Sequence, residues 1–510
     1  MVAIDSTIVI LALPNMLQDL HSDLIRMTWV IIGYLIVNTV LQLTFGRMAD
    51  MFGRVKMYNL GFIVFTIGSV LCGFALSDTM LIASRLVQGV GGAMLAANAM
   101  AIITEVFPPE QRGQAMGINA ITWGGGSVIG PVLGGLILAI TSWRWIFLVN
   151  LPIGIVGTLA AYLLLHDIAP NPRGERFDLI GAVLFCIGLI CLLFGLIGSV
   201  GAGLLSPSVL TFLALAVVAF SVFVLWERRV PYPALDLHLF NNRQYGFSVV
   251  AATLQSLAIF AVNFLLIFYL QGARGYSPLT AALLILPLPV FTSIIGPLGG
   301  RWADRAGGAI PATIGLVIQV AALLVLVFLS PTTPYGILAL ALSLMGLGGA
   351  LFWSPNTSTT MNAAPRNRLG VASATLNTMR NVGMVCSFAV ALAVAAASMP
   401  PALVNAVFLG TVGHLQPTIA LAFTSAMSHA FIASIFICVI AIFFSVVRKG
   451  KSTMVPTAST VSTESLSSKL TTDHPANQLV SQDGAKKVED GQIARQKGTY
   501  SRELPSDKMK

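Results

Sequence analysis

The sequence has little charge. Asp, Glu, Lys and Arg make up 10% of its 510 residues, whereas an ordinary soluble domain carries about 25%. Hydrophobic residues make up 56%, and the mean hydropathy is +0.84. This composition excludes a soluble globular protein and predicts an integral membrane protein in contact with a lipid bilayer. The formal net charge of +9 comes without interleaved basic and aromatic residues outside the apolar runs, so we expect no nucleic-acid partner.

Residues that could form a metal or catalytic centre are also scarce. The five cysteines all lie within apolar runs and lack metal-ligand spacing, so we interpret them as small buried hydrophobic residues. The sequence contains no HExxH or GxSxG motif and no paired acids in an apolar run. We therefore expect no metal site, no cofactor and no enzymatic activity.

Long apolar runs, by contrast, are abundant. A helix needs about 20 apolar residues to cross a bilayer, and fourteen runs meet this requirement. They cover approximately 1–18, 28–46, 57–77, 79–104, 114–140, 144–165, 178–200, 207–226, 246–270, 278–299, 310–329, 335–355, 370–398 and 422–447. The sequence predicts an all-α polytopic membrane protein with fourteen transmembrane helices. Because the first run begins at Met1, we expect the natural chain to start further upstream.

Basic residues are distributed unevenly among the gaps between these runs. Sixteen lie in alternate gaps, and three lie in the intervening ones, namely Arg26, Arg144 and Arg274. Cytoplasmic loops carry an excess of Lys and Arg. The asymmetry predicts a multi-pass protein of the cell membrane with both termini in the cytoplasm. Residues 451–510 are polar and lack apolar periodicity, which predicts a disordered cytoplasmic tail.

A motif of the form G-R-x-A-D-x-x-G occurs twice, 254 residues apart. The first copy runs from Gly46 to Gly53 and the second from Gly300 to Gly307. Further matches keep the same order, including Pro109-x-x-Arg112 with Pro365-x-x-Arg368. The repeat predicts two six-helix bundles, residues 1–170 and 241–450, separated by two inserted helices in residues 171–240. Two bundles around a cleft are typical of secondary transporters.

The fifth apolar run carries a glycine motif with the spacing G-x8-G-x3-G-P-x2-G-G. Its fixed positions are Gly117, Gly126, Gly130, Pro131, Gly134 and Gly135. Glycines four residues apart allow close helix packing, and an internal proline bends a helix. The alternative is a general glycine-rich packing face.

These motifs together resemble the major facilitator superfamily. The glycine motif resembles its antiporter motif, and residues 46–56 resemble its signature loop. The segments that begin at Asp5 and Trp143 are similar to the fourteen-span drug:proton antiporter family. The resemblance covers roughly residues 2–450 and implies the major facilitator fold, with a proton gradient as the source of energy. It also implies that Gly46, Asp50, Gly53 and Arg54, with Asp304 and Arg305 in the second copy, form a cytoplasmic gating loop. The alternative for these charges is a solvated turn.

Two charged residues in the first half are candidates for proton coupling. Asp5 is the one carboxylate well inside an apolar run, and burial disfavours its charged form, which suits a proton carrier. If the chain truly starts at Met1, Asp5 instead caps a helix at the cytoplasmic surface. Arg85 also lies in an apolar run. The resemblance implies a role in proton coupling, whereas the alternative is that it reaches the outer membrane surface.

The sequence also suggests what the cleft binds. Gln88, Asn377 and Arg380 are candidates for its lining, although Arg380 could equally make a helix–helix hydrogen bond. Few charges and many Phe, Met and Leu predict a mostly apolar cleft, which favours lipophilic or weakly cationic cargo. We therefore expect a monomeric, proton-coupled antiporter that exports drugs or other small organic compounds. The alternatives are a metabolite uniporter or symporter and, from a different class, a membrane sensor or structural protein.

Overall fold

The computed structural model describes residues 1–22, 24–166, 177–202, 206–231, 233, 235–398 and 416–448. Their regular secondary structure is helical, with no strand in these ranges. The main helices are α1 (Val2–Asp19), α2 (Leu24–Phe52), α3 (Arg54–Gly73), α4 (Asp78–Val106), α5 (Arg112–Ile140), α6 (Arg144–Leu148), α7 (Asn150–Leu164), α8 (Leu179–Ala202), α9 (Pro207–Glu227), α10 (Arg243–Phe268), α11 (Pro278–Ile285), α12 (Pro287–Ala306), α13 (Ala309–Val327), α14 (Tyr335–Asn362), α15 (Leu369–Ser398) and α16 (Pro417–Val447).

The all-α prediction is confirmed. Every predicted apolar run overlaps at least one of these helices. Within the described ranges, eleven helical stretches are long and apolar enough to cross a membrane. The count of fourteen crossings and the boundaries of the two halves stay predictions. The predicted tail, residues 451–510, lies outside the described residues.

Two predicted runs are each divided into two helices. The run at 144–165 is interrupted at Val149, between α6 and α7, and the run at 278–299 is interrupted at Leu286. Proline explains both breaks, because it lacks the N–H that would bond the carbonyl four residues earlier. Pro152 follows the first break, and Pro287 begins the helix after the second.

Two pairs of helices make most of the contacts between the two halves of the chain. We call residues 1–170 the first half and residues 241–450 the second half. Helix α5 of the first half packs against α12 of the second, and α2 packs against α15. The predicted inserted helices α8 and α9 pack against each other, and α8 also contacts α2 and α15.

The outer surface is apolar, as a lipid environment requires. On α9, for example, Leu210, Leu215, Val217 and Val218 are exposed. An exposed apolar surface of this extent is rare on a soluble monomer. The polar side chains are instead concentrated inside the bundle and at helix ends, where they form the sites described next.

Candidate functional site

A buried ion pair occupies the interior of the first half. Arg85 of α4 donates from Nη1 to Oδ2 of Asp5 of α1 over 2.7 Å, and the two side chains are 1% and 0% exposed. Gln88, one turn further along α4, donates to Oδ1 of Asp5 over 2.9 Å. The structure therefore brings Asp5, Arg85 and Gln88 together in the core. Neither side chain reaches the protein surface.

Neutral polar groups from two further helices complete this network, which we call the Asp5 network. Asn150, the first residue of α7, donates to Oδ1 of Asp5 over 3.1 Å. Ser69 of α3 accepts from Gln88 and from Asn150, each over 3.1 Å. The Tyr34 ring lies 4.2 Å from the Arg85 guanidinium carbon. Loss of one partner from a buried pair leaves an uncompensated charge, so the Asp5 network ties together the packing of four helices.

A second set of polar contacts lies where α2 meets α3, at what we call the α2–α3 end. Asp50, in the first copy of the repeat, accepts from the backbone N–H groups of Gly370 and Val371 over 2.8 and 2.9 Å. These groups belong to the first turn of α15, in the opposite half. A carboxylate satisfies the otherwise unbonded N–H groups of a helix start and is attracted by the helix dipole. Asp50 thus joins the two halves.

Arg54 extends this contact into a charge network. It donates to Oδ1 of Asp50 over 2.8 and 2.9 Å, to Oε2 of Glu105 over 2.9 Å and to the carbonyl of Arg366 over 2.7 Å. The Arg54 side chain is 4% exposed, so the predicted contact is an interior network rather than a solvated turn. Glu105 joins the site from the end of α4.

The second copy of the repeat makes the corresponding contact in the opposite direction. Asp304 accepts from the backbone N–H groups of Gly113 and Gln114 over 2.7 and 2.9 Å. These groups begin α5 in the first half. Each half therefore supplies a carboxylate that caps a helix of the other. Arg305, also predicted for this loop, is exposed at the surface.

Glycines make these contacts geometrically feasible. A side chain at Gly46 would meet the Gly370 backbone, and one at Gly300 would meet the Gly113 backbone. Both copies also end in a glycine with positive φ, 110° at Gly53 and 80° at Gly307. Residues with a Cβ rarely adopt this backbone region. The repeat thus encodes the same turn and the same close helix approach twice.

The predicted antiporter motif lies at the same interface only in part. A Cβ on Gly117 would meet the backbone of Gly296 and Pro297 on α12. Gly126, Gly130 and Gly134 are buried, whereas Gly135 faces open space. Pro131 lies within the continuous helix α5, but its side chain is outside the described part of the structure.

A cavity of about 240 Å³ lies between the halves. From the first half, Met100 of α4 and several residues of α5, including Met116 and Asn119, line the cavity. The second half contributes residues of α10, α12, α13, α14 and α15. Arg380 is part of this lining, and its guanidinium carbon lies 5.2 Å from the centre of the Trp353 ring.

The other two predicted cleft residues lie elsewhere. Gln88 belongs to the Asp5 network, and Asn377 donates to the Ala96 carbonyl across the halves over 2.9 Å. Neither is among the described residues that line this cavity.

Sequence reasoning missed several residues at these sites. They are neutral residues within apolar runs, namely Asn150 and Ser69 in the Asp5 network and Gln255, Gln319 and Trp353 at the cavity. The glycines that receive the capping carboxylates, Gly113 and Gly370, follow the paired Pro-x-x-Arg motifs closely. Their place just after the repeated Pro-x-x-Arg motif is the sequence pattern that could have identified them.

Comparison with known proteins agrees with this architecture. The Major Facilitator Superfamily profile matches residues 1–388. Multidrug resistance protein Stp of Mycobacterium tuberculosis is 33% identical over 400 residues, which cover 78% of this chain and 74% of that protein. Riboflavin transporter RibZ of Clostridioides difficile is 32% identical over 384 residues, covering 75% and 82% of the two chains.

Among solved structures, the proton:xylose symporter XylE bound to 6-bromo-6-deoxy-D-glucose has a TM-score of 0.57 at 13% identity. The match covers 87% of this chain and 91% of that one. This likeness concerns the fold alone. The chain belongs to the Major Facilitator Superfamily. It is a membrane-spanning transporter of small substrates and not an enzyme.

Proposed function

We propose that the protein is a proton-coupled antiporter that exports small organic compounds by alternating access between its two halves. The observation that carries the proposal is the buried carboxylate of Asp5, which is held by Arg85 and two amide side chains in the first half. A group of this kind can bind and release a proton, and each change alters contacts among four helices.

The contacts between the halves support alternating access. Asp50 and Asp304 each cap a helix start in the opposite half. At the same end, Arg112 donates to Asn362 over 2.6 Å, and Ser354 donates to the Gly113 carbonyl over 2.8 Å. Hydrogen bonds at one end of the interface can break and reform as the halves rock. With the excess of basic residues at this end, we place it and both termini in the cytoplasm of the cell-membrane protein.

The cargo in this proposal is a drug-like organic compound, which the relationship to multidrug resistance protein Stp supports. A metabolite transporter is the second candidate, since one relative is a riboflavin transporter. Transport of fluorescent dyes and of riboflavin by the same vesicles separates these two candidates. The transporting unit that we propose is the monomer, because the halves that enclose the cavity belong to one chain.

Asp5→Asn tests the coupling. The amide keeps the size of the side chain but removes its charge and its capacity to carry a proton. In everted vesicles with an imposed pH gradient, we expect substrate accumulation to fall to the level of vesicles without the protein. Exchange of labelled for unlabelled substrate, which needs no net proton movement, should continue.

Asp19→Asn is a matched control on the same helix. Asp19 also pairs with an arginine, Arg144, over 2.6 Å, but its side chain is 47% exposed. We expect this variant to retain gradient-driven accumulation. Normal accumulation by a folded Asp5→Asn variant would remove Asp5 from the coupling mechanism.

A further inference from the structure

The charge of the cavity between the halves indicates what kind of compound it accommodates. Arg380 is the one residue with a fixed formal charge among the described residues that line it, and this lining includes no Asp or Glu. A cationic compound at this site would lie beside a guanidinium without a carboxylate in the lining to offset it. Like charges brought together in this way repel each other and weaken binding.

The position of Arg380 is suited to recognition of a ligand. Its side chain is partly buried and lines the cavity. A charge in a membrane-spanning helix is costly and commonly marks a substrate pathway. Arginine binds carboxylates through two parallel hydrogen bonds.

The neighbouring side chains suit an aromatic compound with polar substituents. Trp353 offers a ring beside the guanidinium, with 5.2 Å between the ring centre and the guanidinium carbon. Amide groups come from Asn119, Gln255 and Gln319. The Nε2 of Gln255 donates to Oε1 of Gln319 over 3.3 Å. The hydroxyl of Ser256 is buried and makes no hydrogen bond within the described structure. Methionines complete the apolar part of the lining.

We propose that this cavity is the binding site for amphipathic organic anions, namely compounds with an aromatic ring system and one carboxylate or sulfonate. Arg380 binds the anionic group, and Trp353 stacks on the ring. The cavity volume of about 240 Å³ lies below the usual range of about 300–1,000 Å³ for drug-sized ligands, so two fused rings fit better than four. The inference rests on the proposed function and replaces the weakly cationic cargo predicted from composition.

The charge of the cargo has an electrical consequence. Export of one monovalent anion in exchange for one proton moves negative charge out and positive charge in. Both movements are driven by a potential that is negative on the cytoplasmic side. Export of a monovalent cation for one proton moves no net charge. Anion export should therefore accelerate with the membrane potential, whereas one-for-one cation export should not.

Binding to the purified full chain in detergent tests the site directly. The probes are 2-naphthoate, the neutral 2-naphthamide and the cationic 2-naphthylmethylammonium, which share one ring system. We expect 2-naphthoate to bind most tightly and the ammonium compound most weakly. Arg380→Gln should weaken 2-naphthoate binding about tenfold or more and change 2-naphthamide binding by less than about twofold. Arg380→Lys should restore part of the affinity because it keeps the charge.

Arg26→Gln is the matched control, because it also removes one positive charge, but from an exposed pair with Asp78. It should leave all three affinities unchanged. Tighter binding of the ammonium compound than of 2-naphthoate by the unsubstituted protein overturns the proposal. So does unchanged 2-naphthoate affinity in a folded Arg380→Gln variant. The comparison of the three probes on the unsubstituted protein remains decisive if that variant does not fold.

Flux measurements separate this proposal from proton coupling. In proteoliposomes, 2-naphthoate efflux should rise when the compartment that contains it is made negative. A pH gradient without effect on that efflux overturns proton antiport and leaves the anion site supported by the binding order. Proton-driven efflux of the ammonium compound but not of 2-naphthoate overturns the anion site and supports proton antiport.

Discussion

The two copies of G-R-x-A-D-x-x-G share one contact and differ in another. Asp50 and Asp304 both bind two backbone N–H groups at a helix start in the opposite half. In the first copy, Arg54 also bonds the carboxylate and Glu105. The second copy has Gly308 at the position of Arg54. The shared contact is thus the helix cap, and the arginine network is an addition of the first copy.

The packing around Gly308 explains why the second copy lacks this arginine. A Cβ at Gly308 would meet the Thr359 hydroxyl and the Pro355 carbonyl, so there is no room for a side chain. An arginine from elsewhere reaches the same turn. Arg448, at the end of α16, donates to the Gly308 carbonyl over 2.9 Å and to the Ser248 hydroxyl over 3.1 Å. The charge in the second copy therefore contacts backbone and neutral groups instead of the capping carboxylate.

The largest effect should come from removal of the Asp50 carboxylate, for which removal of the Asp304 carboxylate is the comparison. The Arg54 side chain is 4% exposed, and Asp50→Ala leaves it with Glu105 as its remaining carboxylate partner. Breaking a buried pair costs roughly 3–5 kcal/mol. Asp304→Ala removes a cap alone, at about 0.5–2 kcal/mol. We expect the melting temperature in detergent to fall much further for Asp50→Ala. Equal losses would show that Arg54 adds nothing to the cap.

An intermediate effect should follow from Gly308→Ala. Even a methyl group at this position must displace the Thr359 side chain or the Pro355 backbone, and overpacking of this kind costs about 1–3 kcal/mol. Thermal unfolding measures the loss. Gly336→Ala is the control, since nothing lies within 4 Å of a Cβ there. A Gly308→Ala variant as stable as the unsubstituted protein would contradict the steric explanation for the missing arginine.

An effect of similar size but different origin should come from Gly307→Ala, one residue earlier. Nothing lies within 4 Å of a Cβ at Gly307, but its φ is 80°. With its ψ of 148°, the residue lies in a backbone region that is essentially restricted to glycine, and an alanine there costs about 1–3 kcal/mol. The expected drop in melting temperature is therefore due to the backbone alone. Gly336→Ala, at a position with equal space but no positive φ, should show no such drop, and an equal drop there would argue against this origin.

Sequence patterns predicted the helices and the repeat because both depend on local composition and spacing. Apolar runs mark helices, and the fixed offset between the two motifs marks corresponding turns. Asp5 and Arg85 could be identified because a charge within an apolar run is unusual. Their partnership could not be predicted, since they are 80 residues apart and the rotation of each helix about its axis depends on packing.

Neutral polar residues carried too little signal to be identified. Asn150 and Ser69 bond the Asp5 network, yet amide and hydroxyl side chains are common in membrane helices, where they bond neighbouring helices or their own backbone. Arg448 was counted among the basic residues of a cytoplasmic loop, but it is 2% exposed. Its position shows that a basic residue at the end of an apolar run can fold back onto the bundle.

The reciprocal arrangement of the two caps has a consequence for the energy of opening. Each of the four backbone-to-carboxylate hydrogen bonds contributes about 1.5–3 kcal/mol at most in net terms, because water takes over both partners once the bond breaks. Since every bond spans the halves, a rigid rotation that separates them must release all four together. The closed end therefore opens in an all-or-none manner, and the binding of a proton or a substrate must favour the open shape by a comparable total free energy before the balance shifts.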